Sequence, residues 1–116
     1  MSGSGWIGVD LDGTLAFYDT WRGHTHIGHA IPQMLERVKD WIEEGQEVRI
    51  FTARVSCADP ERTETINAVQ DWLEALGLPR LQVTCVKDFA MLELYDDRAV
   101  QVRMNTGQLV GYSTRN

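Results

Sequence analysis

Residues Trp6–Thr14 read WIGVDLDGT, and the predicted architecture follows from them. Residues Trp6–Asp10 are apolar up to a terminal acid, and a short apolar run of this kind is typical of a buried strand. Asp12-Gly13 comes next, and this dipeptide is typical of a turn. The stretch therefore predicts a buried strand that ends, at a glycine turn, in the two closely spaced carboxylates of Asp10 and Asp12.

Two helices are predicted after this strand. Pro32 suits the first turn of the first helix, because its missing N–H costs nothing there, and Gly45 is a C-terminal cap. Asp59-Pro60 predicts the start of the second helix, with Asp59 as its N-cap, and Gly77 predicts its end. Apolar residues at helical spacing are expected to face the core: Leu35, Val38 and Ile42 in the first helix, and Ile66, Val69, Leu73 and Leu76 in the second.

Further strands alternate with these helices. This alternation predicts a single domain over residues 1–116 with a doubly wound, parallel α/β sheet of Rossmann-like type. A hairpin signal near the C-terminus adds a small antiparallel annex. The predicted strands are Glu47–Thr52, Leu81–Val86 and Leu92–Asp96, and the annex is Val100–Met104 and Leu109–Tyr112 around Asn105-Thr106-Gly107.

Composition limits the classes of function. The 116 residues allow one domain, and the formal net charge of −6 argues against charge-driven binding of nucleic acid. A nucleotide in a local pocket is not excluded. The apolar runs are too short to span a bilayer, and Met1–Gly5 does not resemble a signal peptide. Cys57 and Cys85 are expected to be reduced thiols rather than a disulfide, so we expect a cytoplasmic protein.

The chemically notable residues fall at predicted strand ends. In an open parallel sheet, ligands bind outside the carboxyl ends of the strands. We therefore expect one cleft there. Four strand ends contribute to it: Asp10 at the first, Thr52 at the second, Cys85 and Lys87 at the third, and Asp96-Asp97 at the last.

The acids point to metal-assisted chemistry. Clustered carboxylates such as Asp10 and Asp12 repel each other unless a cation or a shared proton relieves them, and Mg²⁺ prefers oxygen ligands. One carboxylate can then attack phosphorus while the other handles protons. Asp96-Asp97 suggests a metal site by the same reasoning. The alternatives are an acidic β-turn at Asp12-Gly13 and an acidic loop at Asp96-Asp97.

Ile50–Arg54 is a candidate phosphate site. The Thr52 hydroxyl and the backbone N–H groups that follow it, including that of Ala53, can bind phosphate oxygens. Arg54 can add a bidentate contact to phosphate or substrate. The alternative for Arg54 is an ordinary surface arginine.

These elements, in this order, resemble the haloacid dehalogenase (HAD) superfamily over Trp6 to about Arg103, and Asp10–Thr14 matches its DxDGT motif. The resemblance implies that Asp10 becomes the phospho-aspartyl intermediate and that Asp12 protonates the leaving oxygen and later activates water. It implies that Thr52 holds the phosphoryl group. Mg²⁺ would be held by Asp96, the Asp10 carboxylate and the Asp12 backbone carbonyl, with Asp97 in support.

Lys87 is the candidate for the family's third motif, a cation that neutralises phosphate and nucleophile charge. It lies only nine residues before Asp96, whereas a crossover between parallel strands usually takes a dozen residues or more. Either Leu81–Val86 is not a standard parallel strand, or the linking helix is cut to a turn. The alternative role is a surface lysine.

Substrate selection is expected in the flap. The gaps between motifs are too short for a cap domain, so the site is open and suits a large substrate or closure by a second subunit. Gly13–Trp21 predicts a small flap hairpin, followed by a polar loop over Trp21–Ala30. Trp21 can stack on a base and His24 can contact substrate, although packing and solvation are the alternatives. A zinc site at His24, His26 and His29 is a minor alternative.

The leading hypothesis is a Mg²⁺-dependent phosphomonoester hydrolase acting on a phosphorylated small molecule or nucleotide. A polynucleotide-end phosphatase is an alternative, although the net negative charge weakens it. A catalytically silent binding module with the same fold is another. The intact set of Asp10, Asp12, Thr52 and Asp96 argues against that one.

Overall fold

The computed structural model of the chain describes residues 4–111. They form an α/β fold with a four-stranded, all-parallel sheet and two helices, compatible with a Rossmann-like architecture. The elements are β1 (Trp6–Asp10), α1 (Pro32–Glu43), β2 (Glu47–Phe51), α2 (Glu61–Ala75), β3 (Val83–Thr84) and β4 (Met91–Tyr95), with a short 3₁₀ turn at Ala53–Val55.

The strand order is β3-β2-β1-β4. From β1 the chain moves outward to β2 and β3, and then returns to the other side of β1 to form β4. The order of strands therefore reverses at β1, and ligands of open α/β sheets bind outside the carboxyl ends at such a reversal. Asp10 ends β1 and Asp96 directly follows β4, so both acids lie at this point.

Both helices pack on the same face of the sheet. Alternate residues of a strand point to one face, and Ile7 and Val9 of β1 belong to one buried cluster with Val38 of α1 and Leu73 of α2. Val38 and Leu73 are completely buried. Val69 also belongs to this cluster, and Leu35, Ile42 and Ile66 pack against it, which confirms these members of the predicted apolar stripes. Leu76 differs from the prediction, because it is the C-cap residue that follows α2 and does not belong to the cluster.

The opposite face carries no helix in the described part of the chain. Trp6 is fully buried there, its indole N–H donates to Asp88 at 2.9 Å, and the Arg49 guanidinium lies 4.5 Å from its ring centroid. The connection between β3 and β4, residues 85–90, crosses this face without a helix because it is too short to form one. The parallel sheet is thus as predicted, whereas residues 4–111 place helices on only one of its faces and do not form the predicted doubly wound arrangement.

Several predicted boundaries shift. β3 comprises only Val83–Thr84 of the predicted Leu81–Val86, and it is a parallel strand. Of the two alternatives for Lys87, the structure therefore shows the second, in which the helix expected between β3 and β4 is cut to a short connection. α2 begins after Pro60 rather than after Asp59, whose Oδ1 accepts hydrogen bonds from the Thr63 N–H and hydroxyl at 3.0 and 2.6 Å.

The predicted C-terminal annex is present as one antiparallel bridge, Val102 to Leu109, around a turn with Asn105 at φ 66°. Tyr112, at the end of the predicted annex, lies outside the described residues. No helix within residues 4–111 is both long enough and apolar enough to cross a membrane.

Candidate active site

An open cleft of about 820 Å³ lies at the carboxyl ends of β1, β2 and β4. It contains most of the residues predicted to form the site, brought together from four separate segments of the chain. Its lining is acidic on one side and aromatic at the flap. The lining residues are Asp10, Asp12, Gly13, Tyr18, Trp21, Phe51, Thr52, Ala53, Arg54, Cys57, Glu61, Asp96, Asp97 and Arg98.

Three carboxylates converge in this cleft. One oxygen each of Asp10, Asp96 and Asp97 lies within 4.8 Å of the other two. The pKa of Asp10 is raised from 3.8 to about 7, mainly by burial, then by its contact with the Asp97 carboxyl and by the negative charges of Asp96 and Asp97. Among the described residues, no lysine, arginine or histidine forms a salt bridge with these three carboxylates, so the cluster concentrates acidic groups without a paired cation.

Thr14 ties the two acidic segments together, a role that the sequence analysis missed. Its hydroxyl lies 3.0 Å from Asp97 Oδ1 and 3.4 Å from Asp10 Oδ2, and it accepts a hydrogen bond from the Asp97 N–H at 3.0 Å. Gly13 adopts φ +90°, and a Cβ at that position would lie 2.7 Å from Asp97 Oδ2. The glycine turn thus lets the end of β4 approach the end of β1. In the sequence, Thr14 is marked only by its position at the end of the Asp10–Thr14 motif. The residue that its hydroxyl contacts, Asp97, lies 83 residues further along the chain.

The carboxylate of Asp12 does not join the acid cluster. Arg54 Nε donates to its Oδ2 and Arg54 Nη2 to its Oδ1, each at 2.8 Å. The Arg54 side chain is only 5% exposed and that of Asp12 22%. Asp12 lines the same cleft as the acid cluster. Both of its carboxylate oxygens are held by Arg54, and the carboxylate that lies beside those of Asp10 and Asp96 is that of Asp97.

Arg54 also contacts the flap. Its Nη1 donates to the carbonyls of His24 at 3.1 Å and Gly23 at 3.4 Å, and the guanidinium lies 4.8 Å from the centroid of the Trp21 ring. From the sequence, Arg54 is predicted to be a bidentate ligand for phosphate or substrate. The structure instead places its guanidinium between Asp12 and the flap.

Thr52 and Ala53 lie where the sequence predicts them. Thr52 is 2% exposed at the end of β2, and Ala53 is exposed at the start of the 3₁₀ turn. Thr52 Oγ1 accepts a hydrogen bond from the Arg54 N–H at 3.1 Å, so that N–H is already used. The Thr52 hydroxyl and the Ala53 backbone remain the phosphate-facing candidates in the cleft lining.

The flap is a closed loop rather than the predicted Gly13–Trp21 hairpin. A tight turn returns the Ala16 N–H to the Leu11 carbonyl at 2.8 Å. The base of the loop is then closed by an antiparallel bridge between Ala16 and Ala30, with the Ile31 N–H donating to the Leu15 carbonyl at 2.8 Å. We call residues 17–30 the flap loop. The residue that pairs with Ala16, Ala30, lies beyond the C-terminal end of the predicted Gly13–Trp21 hairpin.

The three histidines of the flap loop do not converge. His24 Nε2 lies 2.9 Å from Glu64 Oε1 and its Nδ1 lies 3.9 Å from Glu61 Oε2, whereas the His29 ring stacks on Phe17 with centroids 4.9 Å apart. His24 therefore fastens the loop to α2, and its side chain is not part of the cleft lining. Trp21, in contrast, lines the cleft and is 53% exposed.

Lys87 lies outside the acid cleft. It is exposed and lines a second cleft of about 530 Å³ beside β4, together with one face of Asp96. The cation that contacts an acid of the main cleft is Arg54 instead. Cys57 and Cys85 are free thiols, as predicted, and Cys57 lines the main cleft.

Comparison of the chain with protein-family models, with curated proteins and with solved structures found no match.

Proposed function

We propose that the chain is a Mg²⁺-dependent phosphomonoester hydrolase of the HAD type, with Asp10 as its nucleophile. The observation that supports this most directly is the convergence of Asp10, Asp96 and Asp97 at the carboxyl edge of the sheet, where the strand order reverses. Parallel strands place these acids from distant segments at one point, which is where ligands of such sheets bind.

The acid cluster fits Mg²⁺. Its donors are carboxylate oxygens, which hard divalent cations prefer, and no salt bridge within residues 4–111 reaches Asp10, Asp96 or Asp97. Asp10, Asp96 and Asp97 would hold the ion, with the Asp12 backbone carbonyl as a further ligand by the family pattern. A bound Mg²⁺ neutralises charge on the transferring phosphoryl group.

The residues of the cleft divide the chemistry between them. Asp10 attacks phosphorus, and the bond from phosphorus to the leaving oxygen breaks as Asp12 gives that oxygen a proton. Water then attacks the phosphorus of the aspartyl-phosphate while Asp12 takes a proton from it. The bond between phosphorus and the Asp10 oxygen breaks, which releases inorganic phosphate and restores the Asp10 carboxylate. Thr52 holds the phosphoryl oxygens through its hydroxyl during both steps.

The cleft favours a substrate with one phosphate and an aromatic or other apolar remainder. Tyr18 and Trp21 are about half exposed at the cleft and can stack on a base or aryl group. Five carboxylates against two guanidiniums line the cleft, which disfavours a polyanion such as a polynucleotide end. The charged lining residues are Asp10, Asp12, Glu61, Asp96, Asp97, Arg54 and Arg98.

Hydrolysis of p-nitrophenyl phosphate tests the proposal. We expect turnover with Mg²⁺, none with EDTA, and none in Asp10→Asn, because an amide cannot serve as the nucleophile. Asp71→Asn is a matched control, since Asp71 is an exposed aspartate of α2 paired with Arg80. Mg²⁺-dependent turnover that persists in Asp10→Asn would contradict the mechanism, and none for any phosphomonoester in wild type would contradict the function.

A further inference from the structure

Arg54 joins Asp12 to the flap loop through one buried guanidinium. Its Nε and Nη2 hold the two oxygens of Asp12, while its Nη1 holds the carbonyls of Gly23 and His24. The Trp21 ring lies over the same guanidinium. We propose that Arg54 is a positioning residue that transmits the position of the flap loop to Asp12; its effect on turnover, but not the coupling itself, rests on the proposed function.

A count of donors supports this role over phosphate binding. A guanidinium has five N–H donors in a fixed planar fork. Four of them are engaged by Asp12 and the two flap carbonyls, which leaves a single N–H on Nη2. Arg54 can therefore bind phosphate through two N–H groups only by releasing Asp12 or the flap loop.

Burial makes this ion pair different from the others in residues 4–111. The arginine side chains of the remaining salt bridges are 20–49% exposed, whereas that of Arg54 is 5% exposed. An exposed ion pair adds little to stability, whereas removing one partner of a desolvated, bidentate pair leaves the charge of the other partner buried and unpaired. The orientation of Asp12 and the closure of the flap loop are therefore linked.

The coupling of Asp12 to the flap loop affects the proton transfers that Asp12 carries out in the proposed reaction. Both oxygens of Asp12 accept an N–H of Arg54, so the guanidinium fixes the direction in which this carboxyl faces the cleft. In the proposed reaction the same carboxyl must reach the leaving oxygen and then the attacking water. A substrate that displaces Trp21 or the loop carbonyls moves the same guanidinium, so binding at the flap reaches Asp12.

Trypsin cleavage after Arg22, an exposed flap residue, tests the coupling without any need for activity. We expect native-state cleavage there to rise about 10-fold or more in Arg54→Gln, from loss of the flap contacts. It should also rise in Asp12→Asn, which does not touch the flap, and the double variant should show no further rise. Arg80→Gln, which removes an exposed α2 ion pair, is the control. Unchanged cleavage in Arg54→Gln or in Asp12→Asn would overturn the proposal.

Kinetics with p-nitrophenyl phosphate supply the second readout. We expect Arg54→Gln to lower kcat about 10- to 100-fold and to alter the pH profile of kcat, with a smaller change in KM. We expect Arg54→Lys to restore activity only in part, because lysine cannot form the bidentate contact with Asp12. In the Asp12→Asn protein, the further substitution Arg54→Gln should lower kcat little more. A higher KM with unchanged kcat would overturn the proposal in favour of a phosphate ligand. If wild type hydrolyses no phosphomonoester, the proposed function fails, and the cleavage result alone decides the coupling.

Discussion

Removing the charge of Asp10 should stabilise the protein when no divalent cation is present. The pKa of this carboxyl is raised from 3.8 to about 7, first by burial and then by Asp97 and Asp96. Because the folded-state pKa lies above the unfolded one, the stability that the neutral carboxyl supplies is complete below about pH 4. It is lost as the pH rises through 7. Asp10→Asn keeps nearly the same shape without the charge and should not show this loss.

The size of the effect follows from the shift. A rise of the pKa from 3.8 to about 7 corresponds to roughly 4 kcal/mol for the ionised carboxyl at pH 8. Asp10 is only partly buried, so solvent screens this cost, and we expect about 1–2 kcal/mol. For a domain of this size that amounts to a Tm roughly 3–10 °C higher for Asp10→Asn than for wild type.

Thermal unfolding at pH 8 in EDTA, repeated at pH 4, is the assay. The difference between Asp10→Asn and wild type should be present at pH 8 and vanish at pH 4. Saturating Mg²⁺ should reverse the order at pH 8, because about 100-fold excess over Kd stabilises the binding-competent protein by about 2.7 kcal/mol. Asp71→Asn is the control at an exposed aspartate. An Asp10→Asn protein that is less stable than wild type at pH 8 in EDTA would show that the charge of Asp10 does not destabilise the fold.

Three further substitutions test the fold and the cleft. Gly13→Ala should cost about 1–3 kcal/mol and weaken Mg²⁺ binding, measured by urea unfolding and by titration, because φ is +90° and the added Cβ meets the Asp97 carboxylate. Trp21→Ala should raise KM for nucleoside monophosphates more than for p-nitrophenyl phosphate, with Trp21→Phe close to wild type; equal effects on both substrates would remove Trp21 from substrate selection. Leu73→Ala should lower the free energy of unfolding in urea by about 2–5 kcal/mol, because Leu73 is fully buried. Leu92→Ala, at a residue that is 59% exposed, should lower it by less than about 0.5 kcal/mol, and similar losses in the two variants would contradict the assigned core.

The features that the sequence predicted well are those with local signals. Trp6–Asp10 is an apolar run ending in an acid, and it forms β1 with the same bounds. Pro32 marks the first residue of α1, because a proline there loses no hydrogen bond. The acids at the ends of β1 and β4 meet because parallel strands bring their carboxyl ends to one edge.

The features that it missed depend on contacts between distant residues. Arg54 and Asp12 lie 42 residues apart, and although both were assigned to the cleft, no local pattern reports that they pair. The position of Lys87 depends on the path that residues 85–90 take across the sheet, which periodicity does not describe. The flap loop was predicted as a hairpin from its β-branched and aromatic residues, but Ala30, outside that stretch, closes it.

In the proposed mechanism, Asp10 forms a covalent phosphoryl intermediate. Asp12→Asn should slow its hydrolysis, because that step needs Asp12 to activate water. The most direct measurement is therefore peptide mapping by mass spectrometry of Asp12→Asn protein, acid-quenched after mixing with Mg²⁺ and p-nitrophenyl phosphate. We expect one phosphoryl group on Asp10, and we expect it to be absent when Mg²⁺ is replaced by EDTA. A phosphoryl group on any other residue would rule out the proposed mechanism, as would steady turnover by wild type with no phosphoryl group on Asp10 in either protein.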